Sequence, residues 1–167
     1  MGKEQITEDR IIGIVIIEEK GPFLTQIKEA VEADPGLRII DIRVDLPSAA
    51  LLMQDIEKVP DVILVGFEIL KAAAASNADS LMKLKEKMPE TRLVVMGERY
   101  SDEEMFRMIH EGIRGFFLRQ TPPGLITKCI RLVLTGEMWI DGAFVAKVFE
   151  GVSRRHMEEI GTENRDS

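Results

Sequence analysis

The stretch from Pro60 to Glu68 constrains the fold more than any other. Four consecutive apolar residues follow a Pro-Asp turn and end at Gly66. An apolar run this short, bounded by turn residues, predicts a strand that is buried on both faces. Such strands lie in the middle of parallel sheets, and ligands bind beyond their carboxyl ends. Gly66 stands at that end without a side chain, so the functional interpretation depends on this glycine.

The rest of the chain alternates apolar runs with helical patterns. Strands are predicted at 11–17, 38–44, 61–66, 91–96 and 115–118. The run at 38–44 alternates apolar and charged residues, which is typical of a strand with one wetter face, nearer the edge of a sheet. Because a helical pattern follows each strand, the order predicts a parallel sheet with helices on both faces.

Turn residues mark the helix boundaries. Gly21-Pro22 opens the first helix, and Asp34-Pro35-Gly36 stops it. Ser101-Asp102-Glu103-Glu104 has the form of a capping box, and the helix that it begins ends at Gly112. Thr121-Pro122 predicts an N-cap followed by proline at the first position of the fifth helix.

The helical period predicts the apolar faces of three helices. Their inward residues are Ala49, Leu52, Met53 and Ile56 in the second helix, Leu81, Leu84 and Met88 in the third, and Leu125, Cys129, Ile130 and Val133 in the fifth. Asp79 caps the third helix, and the fifth runs to Gly136. The segment 67–78 is rich in alanine but poorly periodic, so its conformation stays open. A further helix is predicted over about 143–157.

Composition limits the classes of function. A chain of 167 residues allows one domain of typical size with short extensions. Its net charge of −7 argues against binding of nucleic acid by this chain alone. The single cysteine, Cys129, excludes an internal disulfide and predicts a cytoplasmic protein. No apolar run approaches the roughly 20 residues that a membrane span needs.

Three features together resemble one family. Strand one ends in the acidic pair Glu18-Glu19, strand three is the run described above, and the block 111–119 reads Glu-Gly-Ile-Arg-Gly-Phe-Phe-Leu-Arg. Together they resemble the receiver domain of bacterial two-component response regulators. The continuation over 121–140 is similar to the NarL/LuxR-type subfamily. The resemblance covers about 10–155 and implies a flavodoxin-like (CheY-like) five-stranded sheet of order 2-1-3-4-5.

The resemblance also implies a phosphorylation site, from which this sequence departs. In the family a strand-three aspartate is the nucleophile that takes a phosphoryl group, and an acidic pair on strand one holds Mg²⁺. A Ser or Thr and a Lys contact the phosphoryl oxygens. Here the aspartate position is Gly66, the Ser/Thr position is Gly97, the Lys position is Arg119, and the strand-five aromatic is Phe116, which lacks a hydroxyl.

Two interpretations of Glu18-Glu19 remain. The pair could be a residual metal site, with Glu68 as a minor source of a third carboxylate. We favour a solvated acidic rim in which the pair contacts Arg119, and therefore predict neither a metal nor a cofactor. Tyr100 is assigned to a plain loop, Cys129 to the core, and Trp139 to packing against the fifth helix.

The expected organisation is a flexible N-terminus at 1–9, a receiver-like domain at 10–135, a linker with a helix at 136–157 and a disordered tail at 158–167. The expected function is that of a non-phosphorylatable receiver, or pseudo-receiver, which acts through protein contacts and forms a homodimer. It would be the N-terminal regulatory domain of a LuxR-type transcriptional regulator, with DNA bound only through a C-terminal domain absent from this chain. Because no nucleophile–base pair is found, no enzymatic activity is predicted. The alternative is a small-ligand-binding or enzymatic domain that uses a crevice emptied by Gly66 and Gly97.

Overall fold

The computed structural model describes residues 10–47, 59–75 and 80–140, together with 145–146 and 149–150. The face predicted for the second helix, the cap at Asp79, most of the predicted helix at 143–157 and both predicted flexible ends lie outside the described residues.

Five parallel strands form one sheet in the described residues, and their order, β2-β1-β3-β4-β5, confirms the prediction. The strands are β1 (Ile12–Ile17), β2 (Leu37–Arg43), β3 (Val62–Gly66), β4 (Arg92–Gly97) and β5 (Gly115–Leu118). The helices in the same described residues are α1 (Pro22–Glu32), α2 (Phe67–Ala75), α3 (Ser80–Lys87), α4 (Asp102–His110) and α5 (Ile126–Leu134), with a 3-10 turn at Pro123–Leu125. β2 is an edge strand with mostly half-buried residues, as its alternating sequence predicted.

Two apolar cores lie on opposite faces of the sheet. Successive side chains of β3 alternate between them, because a strand has a period of two. Ile63 and Val65 join the core beneath α3 and α4, whereas Val62 and Leu64 join the core beneath α1 and α5. All five residues of β3 are buried, so this strand is central, as predicted.

Helix α2 begins directly at the end of β3, with no intervening loop. It starts at Phe67, and Phe67 is buried against the first of the two cores. The sequence left this segment open because its alanines show little periodicity. The early start matters for the site, because it places an aromatic ring beside the carboxyl ends of the strands.

The predicted start of the fifth helix is wrong, because a 3-10 turn over Pro123–Leu125 precedes α5, which begins at Ile126. Pro122, and not Thr121, is the N-cap of this turn, with φ −52° and ψ 126°. A residue that precedes proline is pushed out of the helical region, so Pro122 cannot begin the helix. The 3-10 turn changes the phase, and Ile126 is buried in place of the predicted Leu125, which is 39% exposed.

Other local predictions are confirmed. The capping box forms, because Ser101 and Glu104 each accept a bond from the backbone N–H of the other. Gly112 and Gly136 follow α4 and α5 with φ of 97° and 89°, a region that favours glycine. Cys129 is fully buried. In the described ranges no helix is long and apolar enough to cross a bilayer.

Trp139 lies at the outer edge of β5. Its backbone bonds to Arg114 and Phe116 form an isolated parallel bridge with Gly115. Its ring stacks on Phe117 at 6.5 Å and packs against the core that α5 covers. The predicted anchoring role is confirmed, with the addition of backbone pairing.

Candidate functional site

Four of the predicted site residues come together at the carboxyl ends of the strands. Glu18 follows β1, Gly66 ends β3, Gly97 ends β4 and Arg119 follows β5. Because all five strands are parallel, their carboxyl ends lie side by side at the same end of the sheet. The candidate site is therefore a group of residues that are distant in sequence and brought together by the fold.

The Glu18 side chain turns into the molecule, and only 2% of Glu18 is exposed. Its Oε1 atom accepts a bond from the Glu19 backbone N–H at 3.0 Å and another from an Arg119 Nη at 3.3 Å. Its Oε2 atom is buried without a hydrogen-bond partner. The pairing with Arg119 is the predicted one, but the solvated rim is wrong for Glu18. Glu19, the next residue, is exposed.

Burial raises the pKa of the Glu18 carboxyl above its usual range, because desolvation disfavours the charged form. The nearby charges of Glu19 and Glu68 act in the same direction. The hydrogen bond from the Glu19 backbone N–H and the positive charge of Arg119 lower the pKa of Glu18 without cancelling the effect of burial. Glu18 is thus a buried acid whose partners satisfy only one of its two oxygens.

Arg119 is held from several sides. Its backbone N–H donates to the Gly97 carbonyl at 2.9 Å, which fixes the start of its side chain. Its guanidinium lies 4.9 Å from the centre of the Phe23 ring, a cation–π distance, and reaches Glu18. Phe23, in the first turn of α1, was missed by the sequence reasoning. Its position after Gly21-Pro22 gives no signal, because the contact depends on how α1 packs over the sheet.

A side chain at position 66 would collide with the Glu18 carboxylate as it is placed here. A Cβ atom built on Gly66 would lie 2.6 Å from Glu18 Oε1 and 2.9 Å from both Oε2 and Cδ. Real Cβ atoms do not approach other atoms so closely. The Glu18 carboxylate therefore occupies the space that a side chain at position 66 would enter.

Gly97 is crowded in a similar way. A Cβ atom there would lie 3.0 Å from the Phe67 Cβ and 3.0 Å from Cε1 of Tyr100. The alternative hypothesis, a crevice emptied by the two glycines, is therefore not supported at these positions. Side chains that approach from β1, α2 and the loop after β4 fill both positions.

Tyr100 anchors this aromatic filling. Its hydroxyl lies 2.9 Å from the Phe117 carbonyl and 3.1 Å from the Val95 carbonyl, either of which can accept a hydrogen bond from it. Its ring makes edge-to-face contacts with Phe67 at 5.1 Å and Phe116 at 5.7 Å. Burial raises the pKa of the Tyr100 hydroxyl far above its usual range.

A sequence signal for the burial of Tyr100 exists. The residue directly precedes the N-cap Ser101, and an apolar residue at that position often packs against the fourth residue of the helix, here Met105. Both residues belong to the same core. The assignment of Tyr100 to a plain loop is correct for its backbone and overlooks its ring.

The residues at the carboxyl ends of the strands do not fit the Mg²⁺ that the family resemblance implies. Mg²⁺ needs oxygen ligands in near-octahedral order. Glu18 faces inward and pairs with Arg119, Gly66 supplies no carboxylate, and Glu68 is exposed. Within the described ranges, no three His, Cys, Asp or Glu side chains form a group that could hold a metal ion.

The fold defines a class of protein. A LuxR-family two-component response regulator from Aurantimonas sp. SI85-9A1 superposes with a TM-score of 0.71 at 12% identity, over 86% of this chain and 99% of that one. The isolated receiver domain of RcsB from Salmonella enterica serovar Typhimurium gives 0.68 at 14% identity, over 83% of this chain and 98% of that one. The described part of the chain therefore has the receiver fold.

Sequence comparison narrows the class. No family model matches the chain. The oxygen regulatory protein NreC of Staphylococcus haemolyticus is 28% identical over 108 residues, which are 64% of this chain and 48% of that protein. The chain thus spans about half the length of the curated relatives that it matches. The chain is thus similar in fold to the receiver domains of response regulators and similar in sequence to the protein NreC.

Proposed function

We propose that this domain is a receiver that cannot take a phosphoryl group at the usual place and that signals through protein contacts in the cytoplasm. The observation that carries the proposal is the pairing of Gly66 with the inward Glu18 carboxylate. Gly66 offers no nucleophile, and the space beside it is taken. Phosphoryl transfer to a carboxylate needs both the nucleophile and room for the incoming group.

The other positions of the site support the same conclusion. Gly97 has no hydroxyl to contact a phosphoryl oxygen, and its surroundings are filled by Phe67 and Tyr100. Arg119 keeps a positive charge, but the guanidinium is already engaged by Glu18 and Phe23. A planar guanidinium also differs from the compact ammonium of lysine in the contacts it makes.

In the intact protein, we propose, the domain regulates a C-terminal DNA-binding domain. The relatives named NreC are about twice as long as the matched region, which leaves room for a second domain. RcsB, whose receiver domain shares this fold, has been solved bound to a promoter. The net charge of −7 disfavours DNA binding by this chain alone. A homodimer formed without phosphorylation would then set the spacing of two DNA-binding domains.

The alternative, a ligand-binding or enzymatic crevice beside Gly66 and Gly97, loses its main support. It depended on space that the glycines would leave, and side chains fill that space. Tyr100, the hydroxyl nearest to Gly97, is buried and bonded to the backbone, so it offers no free group for chemistry.

The direct test is incubation of the chain with Mg²⁺ and either acetyl phosphate or beryllofluoride. We expect the intact mass of the chain to stay unchanged. We also expect the backbone amide signals in its NMR spectrum to show no saturable chemical-shift changes. The isolated RcsB receiver domain, which has been solved in the presence of beryllofluoride, is the positive control. A stable, acid-labile phosphoryl adduct on this domain would refute the proposal.

The regulatory role needs a separate test. The complete gene product and the 167-residue chain should be compared in gel-shift assays, and the chain should be examined by sedimentation. We expect specific DNA binding only from the complete product and a dimer from the chain alone. Specific binding by the chain, or a monomer at high micromolar concentration, would remove the corresponding part of the proposal.

A further inference from the structure

Glu18 and Arg119 do more than fail to form a metal site. We propose that they form a built-in latch, in which the Glu18 carboxylate is seated against Gly66 and held by the Arg119 guanidinium, and which closes the site to divalent cations. The inference rests on the proposed function, since it concerns the same site. It adds the device that holds the carboxyl ends of β1, β3 and β5 in one arrangement.

The positive charge of the latch comes from the protein itself. A carboxylate buried at 2% exposure needs a compensating charge or donor close by. Arg119 supplies one at 3.3 Å, where a bound cation would otherwise serve. The guanidinium also lies over the Phe23 ring, and the Arg119 backbone is hydrogen-bonded to Gly97, so Glu18 is not the one contact that positions this side chain.

The seat of the latch is Gly66. Both Glu18 oxygens lie within 2.9 Å of the point where a Cβ at position 66 would stand. Any other residue at position 66 would push the carboxylate away. The backbone does not itself demand glycine here, because the described glycines with positive φ are Gly112 and Gly136. The absence of a side chain at position 66 therefore makes room for Glu18.

This geometry predicts energetic coupling between positions 18 and 66, which a double-mutant cycle measures. In the wild-type background, Gly66→Ala should lower Tm by about 5 °C, because the new methyl group collides with the carboxylate. In the Glu18→Ala background the same substitution should leave Tm unchanged or raise it. The space is then free, and alanine restricts the unfolded chain.

Gly115→Ala is the matched control. Position 115 is a buried strand glycine whose added Cβ would lie 2.7 Å from Val94 and touches neither member of the latch. It should lower Tm equally in both backgrounds. A second measurement needs no variant: addition of millimolar Mg²⁺ to the wild-type chain in place of a chelator should leave Tm unchanged.

Two results would overturn the latch. One is an equal loss of Tm from Gly66→Ala in both backgrounds, which would mean that Glu18 does not occupy the space. The other is a saturable rise of Tm with Mg²⁺, which would mean that a cation displaces Arg119. Neither result requires a phosphoryl adduct, so failure of the latch is distinguishable from failure of the proposed function.

Discussion

Two carboxylate–arginine pairs lie in different parts of the molecule and differ in how well they are satisfied. The latch pair, Glu18–Arg119, lies over the carboxyl ends of the strands. The second pair, Asp34–Arg131, joins the turn between α1 and β2 to α5. Arg131 donates to both Asp34 oxygens, and the Gly36 backbone N–H donates to one of them at 2.9 Å.

The pKa values of the two acids move in opposite directions. The bonds from Arg131, followed by the Gly36 bond, hold the pKa of Asp34 below its usual range, although partial burial opposes them. Burial holds the pKa of Glu18 above its usual range. Both Asp34 oxygens accept hydrogen bonds, as expected of a pair that stabilises the fold. Glu18 instead keeps a buried oxygen without a hydrogen-bond partner. The difference indicates that the Glu18 pair serves the shape of the site more than stability.

The largest expected effect comes from Gly66→Asp. The new carboxylate would enter the space of Glu18 and bring two negative charges together in a buried place. We expect a loss of on the order of 3 kcal/mol in the free energy of unfolding, measured by urea denaturation. We also expect no phosphorylation, because position 97 still lacks a hydroxyl.

Adding Glu18→Ala to Gly66→Asp should recover part of this stability, because it removes the colliding charge. If Gly66→Asp alone were as stable as wild type, Glu18 would not occupy the space beside position 66. A double variant less stable than Gly66→Asp would contradict the same claim.

A smaller loss is expected from Asp34→Asn. This substitution removes the charge from the well-satisfied pair and should cost about 1 kcal/mol at neutral pH, since bidentate pairs near the surface contribute modestly. Urea denaturation of the variant checks the value. A cost larger than that of Gly66→Asp would reverse the ranking of the two regions.

The smallest effect at neutral pH should come from Glu18→Gln, the matched amide substitution at the other pair. The variant loses attraction to Arg119 but no longer buries a charge, so we expect a change within about 0.5 kcal/mol. Arg119, at 28% exposure, can reach water once its partner is neutral. Urea denaturation beside Asp34→Asn gives the comparison, and a larger loss than that of Asp34→Asn would contradict it.

The same two variants should separate clearly with pH. Asp34, whose ordinary pKa is 3.8, contributes stability above that pH and loses it as the pH falls through its lowered value. Glu18, whose ordinary pKa is 4.5, contributes stability below that pH and loses it as the pH rises through its raised value. Acidification from neutral pH should therefore raise the free energy of unfolding of wild type relative to that of Glu18→Gln. Below pH 3.8 it should reduce the stability difference between wild type and Asp34→Asn. If acidification changed the stability of both variants relative to wild type in the same direction, the opposite pKa directions of Glu18 and Asp34 would be refuted.

The sequence predicts the frame of the molecule well, because the frame follows from local rules. The apolar run of β3, the capping box at Ser101 and the turns at Gly112 and Gly136 each have a cause within a few residues. The order of the strands was taken from the family resemblance, and the structure confirms it.

The contents of the site could not be predicted, because they depend on contacts between distant parts of the chain. The sequence distance from Glu18 to Arg119 is 101 residues, and nothing near either residue indicates that Glu18 turns inward. The same holds for the approach of Phe23 to Arg119. The burial of the Tyr100 ring had a local signal, whereas the early start of α2 at Phe67 had none.

A crystal structure of the chain grown with Mg²⁺ and beryllofluoride would show directly whether Glu18 occupies the site. We expect the Glu18 carboxylate to lie against Gly66, with an Arg119 nitrogen near 3.3 Å from Oε1. We expect neither additive to occupy the space between Glu18 and Gly66. A Glu18 side chain turned outward, with Mg²⁺ or beryllofluoride beside Gly66, would contradict this expectation.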